Sequence, residues 1–322
     1  MVGGRSLRLL FFGTPAFAVD TLDALLQSPH RVVGVVTQPD RPRGRGQRVT
    51  VAPVKRRAVA AGVPVLQPER LRDVEFLDSA RRFHADLGVV AAYGNILTDD
   101  VLALPRLGLL NVHASVLPRY RGAAPVHRAV MAGEAETGVT IMRVVKALDA
   151  GPMLAFARRP IDLDETSDDV ERGLARIGAD LLVLTIDDLT TGRAHEVPQD
   201  EGRATYASRL TKEDGTVDWA WPAERLHNLV RGLHPWPHAF TFLHGHRVIL
   251  HRTAAPAAAP ASAAPGTIVD ARGDLLSVAT GAGTLRLIEV QFEGKRAMGI
   301  RAFLAGHALA VGDRFAAPPG HR

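Results

Sequence analysis

Leu7-Arg8-Leu9-Leu10-Phe11-Phe12 is an apolar run that stops at Gly13-Thr14-Pro15 and gives way to a helical pattern through Leu26. A β-rich run followed by a turn and a helix is the start of a crossover unit on a parallel sheet. The alternation continues to about residue 188, with strands predicted at 31–37, 63–66, 86–92, 108–112, 139–145 and 153–157 and a helix predicted near 54–61. This half of the chain is therefore predicted to be α/β.

The last helix of this half is predicted over 167–189, and its apolar face is expected to carry Leu174, Ile177, Leu181 and Leu184. Beyond it the pattern breaks into the polar, turn-rich stretch TTGRAHEVPQDEGRATYA at 190–207. Short strands with turn signals follow, which is typical of a small barrel or sandwich. The predicted organisation is an α/β domain at 1–189, a linker at 190–208 and a mainly β domain at 209–322. The Ala/Pro-rich segment 254–265 is expected to be a flexible surface loop.

The composition is that of an ordinary globular protein, with 322 residues of which 46% are hydrophobic and 23% are charged. The chain has no cysteine, which excludes disulfides, thiolate nucleophiles and cysteine-bound metals. This fits the reducing cytosol, and a cytoplasmic monomer is expected. No apolar stretch approaches 18 residues and the start of the chain lacks a usable signal-peptide cleavage site, so neither a membrane span nor export is expected.

Basic residues are concentrated in one segment of this chain of net charge +5. No acidic residue interrupts the run between 41 and 57, whose cations are Arg41, Arg43, Arg45, Arg48, Lys55, Arg56 and Arg57. Because Pro42, Gly44 and Gly46 disfavour regular structure, the segment is predicted to be a mobile cationic loop. Such a loop attracts phosphate backbones by counterion release. A solvated basic face with no nucleic-acid partner is the alternative.

An amide and an imidazole stand together in Leu109-Leu110-Asn111-Val112-His113. Strand periodicity puts Asn111 and His113 on one face at the carboxyl end of a strand, where open α/β sheets bind ligands. An Asn can donate to a developing oxyanion, and a His can donate to it or carry a proton. The pair is therefore a candidate site for chemistry on a carbonyl group. The alternative is that both side chains cap backbone groups in a turn.

Two nearby loops could complete such a site. Asp149 lies between two predicted strands among apolar neighbours, where it is either a partly buried functional carboxylate or a turn residue before Ala-Gly-Pro. The segment 115–125, SVLPRYRGAAP, follows the Asn/His pair and can form the wall of a pocket. Its Arg119 and Arg121 can equally be ion-pair partners of acidic residues.

Several other signatures are missing or weak. Gly13-Thr14-Pro15 occupies the turn where dinucleotide folds carry GxGxxG, but only one glycine is present, and the chain has no GxxxxGK[ST]. Nicotinamide and ATP use are therefore not supported. The three tryptophans, between 219 and 236, are assigned to packing. No HExxH or carboxylate-paired spacing accompanies the tail histidines, so zinc is not expected; these are His234, His238, His244, His246 and His251.

Blocks along nearly the whole chain resemble the methionyl-tRNA formyltransferases, within the folate-dependent formyltransferases. These blocks are FFGTPAFAV, TQPDRPRGRGQ, AYGNIL, LNVHASVLPRYRGAAPVHRAVMAGEAETGVTIM and LDAGPML. The RPRGRG insertion and the segments LTKEDGTVDW, HPWPHAF and GKRAM look particular to the tRNA enzyme. The resemblance implies a Rossmann-like formyltransferase domain followed by a small mainly-β barrel that resembles an OB fold and binds tRNA.

The resemblance also implies a reaction and its residues. Asn111, His113 and Asp149 would be the catalytic trio, 10-formyltetrahydrofolate the donor, initiator methionyl-tRNA the acceptor, and no metal would take part. Arg45, in the GRG of the basic insertion, would read the acceptor end together with Arg41, Arg43 and Arg48. The residues implied for folate binding are Tyr93, Gly94, Asn95, Ile96, Leu97, Ser115, Leu117 and Pro118. Ala114 stands where the family commonly has glycine after NVH.

Two rival functions belong to other classes. An enzyme that formylates an amino sugar or nucleotide, or hydrolyses the donor, can use the same trio, but it has no need of the basic insertion or the β tail. A tRNA-binding module with a decayed active site is the second rival, and the intact trio argues against it.

Overall fold

The computed structural model describes residues 6–43, 48–255 and 263–316, which divide into two compact units. The first unit takes the chain up to Pro125 together with Thr137–Arg159 and Glu171–Ala207. The second takes Val126–Glu136, Pro160–Val170 and the chain from Ser208. The second unit therefore includes two short segments of the region that the sequence assigns to the α/β domain.

Through Ala207 the chain alternates strands and helices in the predicted manner. The elements are β1 (Arg8–Gly13), α1 (Phe17–Gln27), β2 (Arg31–Val36), β3 (Arg41–Arg43), β4 (Arg48–Thr50), α2 (Pro53–Ala60), β5 (Val65–Leu66), α3 (Val74–Arg81), β6 (Leu87–Ala91), α4 (Asp99–Leu102), β7 (Leu109–His113), β8 (Arg121–Gly122), α5 (Pro125–Met131), β9 (Glu136–Arg143), β10 (Met153–Pro160), α6 (Ser167–Thr190) and β11 (Tyr206–Ala207). The sequence did not predict α3, α4 and α5.

The main sheet of the first unit has the strand order β10-β9-β7-β6-β1-β2-β5. Strands β1, β2, β5, β6 and β7 are parallel, whereas β9 runs antiparallel to β7. In β1 the four residues Leu9–Phe12 are fully buried. A continuous apolar run is what a central parallel strand needs, because both of its faces are covered. The α/β prediction is confirmed.

The strand order changes direction at β1. From β1 the chain proceeds through β2 to β5 on one side, and then returns to form β6 and β7 on the other. Open α/β sheets bind ligands at such a switch point, outside the carboxyl ends of the strands. Gly13 pairs with Ala91 and Ala91 with Val112, so β1, β6 and β7 end at a common edge.

The buried face of α6 differs from the predicted one. Leu174 is buried as expected, but Leu184 is 62% exposed and the face continues through Leu182 and Ile186. Gly178 explains this rotation, because a Cβ at that position would lie 2.7 Å from Val112. The helix therefore packs its glycine against the sheet, and the leucines four residues to either side turn inward with it.

The basic segment contains more regular structure than predicted. Arg41–Arg43 and Arg48–Thr50 pair as an antiparallel hairpin, β3 with β4, and α2 begins at Pro53. The loop prediction is therefore wrong for the hairpin residues, whereas α2 (Pro53–Ala60) confirms the helix predicted near 54–61. Lys55 forms an ion pair with Asp40, and Arg57 forms one with Asp23. The hydrogen bond from Lys55 holds the pKa of Asp40 below its usual range.

The second unit is built mainly of antiparallel strands, which confirms the predicted class. Its elements are α7 (Ala223–Gly232), β12 (Ala239–Leu243), β13 (His246–Thr253), β14 (Ile268–Arg272), β15 (Leu275–Ala279), β16 (Thr284–Phe292), β17 (Met298–Gly299), α8 (Ile300–Gly306) and β18 (Phe315–Ala316). The sheet order is β14-β15-β16-β13-β12-β18, with β17 beside β16. Helices α7 and α8 were not predicted. The Ala/Pro-rich segment 254–265 lies mostly outside the described residues. In the described part of the chain, none of the helices has the length and apolar character needed to cross a bilayer.

Candidate functional site

Asn111 and His113 lie two residues apart on β7, so their side chains share one face of the sheet. Val112 points to the opposite face, towards Gly178 of α6. His113 is buried, with 5% of its surface exposed, whereas Asn111 is partly exposed. The predicted pair is therefore present at the carboxyl end of a strand beside the switch point.

Two contacts define the environment of the His113 ring. Its Nε2 lies 3.0 Å from the carbonyl oxygen of Tyr120. A carbonyl oxygen can only accept, so Nε2 carries a hydrogen and donates it. Its Nδ1 lies 3.7 Å from Oδ2 of Asp149, which is longer than a hydrogen bond. The hydrogen bond that orients the ring is therefore the one that Nε2 donates to the Tyr120 carbonyl oxygen, and Asp149 faces Nδ1.

The backbone at Asp149 is held in an uncommon conformation. Its φ is +48°, in the left-handed region that few non-glycine residues occupy. Its Oδ2 accepts a 2.8 Å hydrogen bond from the amide of Gly122. Two residues on, a Cβ at Gly151 would collide with the carbonyl oxygen of Arg143, so the turn requires glycine there. The turn thus aims the carboxylate at His113.

Gln199 closes this turn from the other side. Its Nε2 donates to the carbonyl oxygens of Asp149 and Gly151, at 2.8 and 2.7 Å. Its Oε1 accepts from Arg121, from Nε at 3.0 Å and from Nη2 at 2.8 Å. Gln199 therefore joins the Asp149 turn to Arg121. The sequence analysis missed Gln199 because it placed this residue in a linker.

Arg121 has only 1% of its side chain exposed. Besides Gln199 it binds both carboxylate oxygens of Glu201, at 2.9 and 2.7 Å. The hydrogen bonding between Arg121 and Glu201 raises the pKa of Arg121 and lowers the pKa of Glu201. The sequence left Arg121 as either part of a pocket wall or an ion-pair partner of an acidic residue. In the structure Arg121 is an ion-pair partner, and it lies next to the site.

The segment that follows β7 satisfies its own polar groups. The Ser115 hydroxyl donates to the carbonyl oxygen of Arg119 at 2.6 Å. The Thr140 hydroxyl donates to the Ser115 carbonyl oxygen at 2.7 Å and accepts from the Leu117 amide at 3.2 Å. The Pro118 carbonyl oxygen accepts from the amide of Thr205. Ser115 and Leu117, both predicted to bind folate, are buried and help to fix this segment.

The other predicted folate segment, 93–97, follows β6 at the switch point. Tyr93 is buried with its ring edge-on to Phe12, and burial raises its pKa to about 12. Its carbonyl oxygen accepts from Oγ1 of Thr14 and Nε2 of Gln38, and neither side chain was predicted to take part in the site. These bonds tie together the chain after β1, β2 and β6.

Beyond Tyr93 this segment turns towards solvent. Gly94 has φ +88°, Asn95 is exposed and Ile96 is 86% exposed, whereas Leu97 packs against the core below. The surface of the segment is thus formed by backbone, amide and one apolar side chain.

Three of the four predicted tRNA-binding arginines lie on the β3–β4 hairpin. Arg41 is exposed at the start of β3, and Arg43 pairs in register with Arg48 of β4. Arg45 lies outside the described residues. The structure brings Asn111, His113 and Asp149 together, and it places Arg41, Arg43 and Arg48 on a separate element of the same unit.

An amide, an imidazole and a carboxylate at the carboxyl edge of a Rossmann-like sheet suit an enzyme that acts on a carbonyl carbon. The family comparison agrees: a model described as formyl transferase matches residues 7–186, and one for the formyl transferase C-terminal domain matches residues 209–308. The chain belongs to the formyl transferase family. The family resemblance and the enzyme class expected from the sequence are therefore confirmed.

Relatives of known name match the chain from end to end. A methionyl-tRNA formyltransferase from Moorella thermoacetica is 44% identical over 95% of this chain and 98% of its own length. A methionyl-tRNA formyltransferase from a Synechococcus species is 46% identical over 97% of this chain and 99% of its own length.

Solved structures share the fold at lower identity. An N-formyltransferase from Helicobacter canadensis, in complex with folinic acid and dTDP-3-aminofucose, is 16% identical with a TM-score of 0.67, covering 87% of this chain and 98% of its own. HypX from Aquifex aeolicus, in complex with tetrahydrofolic acid, is 16% identical with a TM-score of 0.66, covering 96% of this chain and 49% of its own.

Proposed function

We propose that the protein transfers the formyl group of 10-formyltetrahydrofolate to the α-amine of methionine esterified to initiator tRNA. The observation that carries this proposal is the end-to-end similarity, at 44–46% identity, to relatives named methionyl-tRNA formyltransferase. The match extends over both family models, at residues 7–186 and 209–308. Folate as donor is supported by the tetrahydrofolic acid and folinic acid in the complexes of HypX and the Helicobacter enzyme.

The reaction needs few groups from the protein. The methionyl amine, whose reference pKa is about 7.7–8.0 and lower once the carboxyl is esterified, is already largely neutral near pH 7. Its nitrogen bonds to the formyl carbon and forms a tetrahedral oxyanion. The bond from that carbon to N10 of the folate then breaks, N10 takes a proton, and the new amide loses one.

The trio supplies an oxyanion donor and a proton relay. Asn111 is placed to donate its amide N–H to the oxyanion, which by analogy with other oxyanion holes contributes about 2.7–4 kcal/mol. With Nε2 of His113 bound to Tyr120, Nδ1 is the nitrogen that exchanges a proton. Asp149, 3.7 Å away, stabilises the imidazolium that forms and accepts the proton directly or through water.

Substitutions at the trio test the chemistry. Asn111→Asp and His113→Ala should each lower kcat by at least about a hundredfold, the scale of one lost donor or one lost proton carrier. Leu184→Ala, at an exposed position of α6, is a matched control on the same domain. Circular dichroism checks the fold. Near-normal turnover of either site variant would refute its assignment.

The acceptor is proposed to be read by the β3–β4 hairpin through Arg41, Arg43, Arg45 and Arg48. Lys55 and Arg57 are already paired with carboxylates, so we assign them no phosphate contact. Arg45→Ala should raise KM for methionyl-tRNA with little change in KM for the folate, and Arg72→Ala, an exposed arginine elsewhere in the unit, should change neither. Equal losses for both substrates would argue against a tRNA role.

One assay separates this function from its rivals. The protein is incubated with labelled 10-formyltetrahydrofolate and either charged initiator tRNA, uncharged tRNA or a panel of amino sugars and nucleotides. Label should enter only the charged tRNA. Transfer to a small amine would favour the first rival, and tRNA binding without transfer the second. With initiator methionyl-tRNA as the acceptor, we propose that the protein acts in the cytoplasm. We also propose that it is a monomer, and light scattering can test this oligomeric state.

A further inference from the structure

Three histidines of the second unit converge although their sequence spacing did not indicate a site. His234 and His238 lie between α7 and β12, and His251 lies on β13. Each offers a ring nitrogen, and these nitrogens all lie within 4.8 Å of one another. Zinc was not expected from the sequence because no HExxH motif or carboxylate-paired spacing accompanies these histidines. The sheet instead supplies the third ligand from a neighbouring strand.

The register of the sheet explains this convergence. Ala239 of β12 pairs with Leu250 of β13, so the antiparallel register sets His238, one residue before, opposite His251. His238 has φ +68°, a conformation rarely adopted by a non-glycine residue. The ring centroids of His238 and His251 are 4.4 Å apart and those of His234 and His238 are 5.4 Å apart. Both pairs are strongly inclined, at 61° and 62°, rather than stacked.

Two of the rings carry a buried nitrogen that lacks a partner. Among the described residues, Nδ1 of His234 and Nδ1 of His238 are buried without a hydrogen bond. Buried polar atoms are nearly always paired, with protein, water or an ion, so each exception needs an explanation. Burial, together with the neighbouring His251 and His234, lowers the pKa of His238 to about 4. The two unpartnered nitrogens are therefore available as ligands.

A second shell orients the third ring. Nε2 of Gln291 donates to the carbonyl oxygen of Lys295 at 2.6 Å, so the amide turns its Oε1 towards His251. That oxygen lies 2.7 Å from Nε2 of His251 and can only accept, so Nε2 carries the hydrogen. The lone pair of His251 is consequently on Nδ1. A side-chain acceptor on the far nitrogen is the usual second shell of a metal-bound histidine.

We propose that His234, His238 and His251 form a binding site for one transition-metal dication, with Zn²⁺ as the best chemical match. Neutral imidazoles suit zinc, and three protein nitrogens with solvent as fourth ligand complete a tetrahedron. At Zn–N distances of about 2.0–2.1 Å, tetrahedral ligand atoms lie about 3.4 Å apart. The three nitrogens, all within 4.8 Å of one another, must approach to this spacing when the metal binds. The metal links the segment between α7 and β12 to β13, so its role is to stabilise the second unit.

Calorimetric titration of ZnCl₂ into the untagged, chelator-treated full chain tests the site. We expect one Zn²⁺ per chain and a higher unfolding temperature in its presence. His251→Gln, His234→Gln and His238→Asn should each weaken binding at least tenfold, and Asn suits the positive φ at 238. Gln291→Leu, which removes only the second shell, should weaken it by about 10- to 100-fold. Co²⁺ should give the visible absorption of a tetrahedral nitrogen site.

His244→Asn is the matched control, because His244 is an exposed histidine of the same unit that is absent from the cluster. It should bind Zn²⁺ as the unaltered chain does. Circular dichroism without metal identifies any variant that fails to fold, and Gln291→Leu then decides the matter because it leaves all three ligands in place. Absence of binding, several weak sites per chain, or equal losses in His244→Asn and the cluster variants would overturn the proposal.

Discussion

Replacing Gln199 tests whether the turn that carries Asp149 needs support from outside. Gln199→Leu removes two hydrogen bonds to backbone carbonyls, of Asp149 and Gly151, and two acceptor contacts with Arg121. Each hydrogen bond contributes about 0.5–1.5 kcal/mol, and the lost acceptor also leaves Nε of the buried guanidinium without its partner Gln199. We expect a loss of about 2–4 kcal/mol in the free energy of unfolding.

Gln199→Glu separates the hydrogen bonds that Gln199 accepts from Arg121 from those that it donates to the Asp149 turn. A carboxylate still accepts from Arg121, but it cannot donate to the carbonyls of Asp149 and Gly151. Most of the stability should therefore remain while the Asp149 turn is released. A displacement of about 1 Å at a reacting group costs about a hundredfold in rate. If Asp149 acts as proposed, kcat for formylation should fall by about that factor.

The assay is steady-state formylation of methionyl-tRNA, with kcat and KM for both substrates measured beside the midpoint of urea unfolding. A positioning role predicts that kcat falls in both variants while KM for methionyl-tRNA changes by less than about threefold. Glu201→Gln is the control, because it keeps an acceptor for Arg121 and leaves the Asp149 turn untouched. Normal kcat in Gln199→Glu would refute the reasoning, and so would a loss of activity that merely follows unfolding.

Three further predictions concern the backbone, the helix face and pH. Gly122→Ala should lower the free energy of unfolding by about 1–3 kcal/mol and also lower kcat. The reason is that φ of Gly122 is +113° and a Cβ there would lie 2.8 Å from the Ala207 carbonyl oxygen. An unchanged urea midpoint would contradict this prediction. Leu182→Ala should cost about 2–5 kcal/mol and Leu184→Ala almost nothing, and similar urea midpoints for the two would disprove the observed face of α6. Burial lowers the pKa of His227 below its usual 6.5, so its contribution to stability is complete above that pH and is lost as the pH falls through the lowered value. Stability should therefore decline less between pH 7.5 and 5.5 in His227→Gln than in the unaltered chain, and equal slopes would exclude this role.

The parallel strands were predictable because their residues carry the signal themselves. The run at 9–12 is apolar throughout, as a central strand buried on both faces requires. The same logic located Asn111 and His113, since two polar residues at period two can only be tolerated where the strand reaches the edge of the sheet. For Asp149 the sequence left a functional carboxylate and a turn residue as alternatives, and only the family motifs assigned it to the trio.

What the sequence did not reveal depends on contacts between distant residues. Arg121 and Gln199 are separated by 78 positions, and neither has a local pattern that marks it as buried or paired. The face of α6 was misplaced because hydrophobicity alone favours its leucines, whereas close packing at Gly178 decides the rotation. The histidine cluster was missed for the same reason: strand register, not spacing along the chain, sets His251 opposite His238.

Asp149 illustrates why the sequence left two interpretations open. As a residue before Ala-Gly-Pro it is a turn residue, and its φ of +48° agrees with that role. Its carboxylate nevertheless lies 3.7 Å from Nδ1 of His113. The two roles are not exclusive, because the left-handed turn is what points the carboxylate back at β7. Tyr120, with φ +59°, supplies the carbonyl on the other side of the ring in the same way. Two residues with unfavourable backbone conformations, Tyr120 and Asp149, therefore flank the His113 imidazole. At Asp149 the hydrogen bonds donated by Gly122 and Gln199 offset the conformational free energy that the left-handed backbone costs.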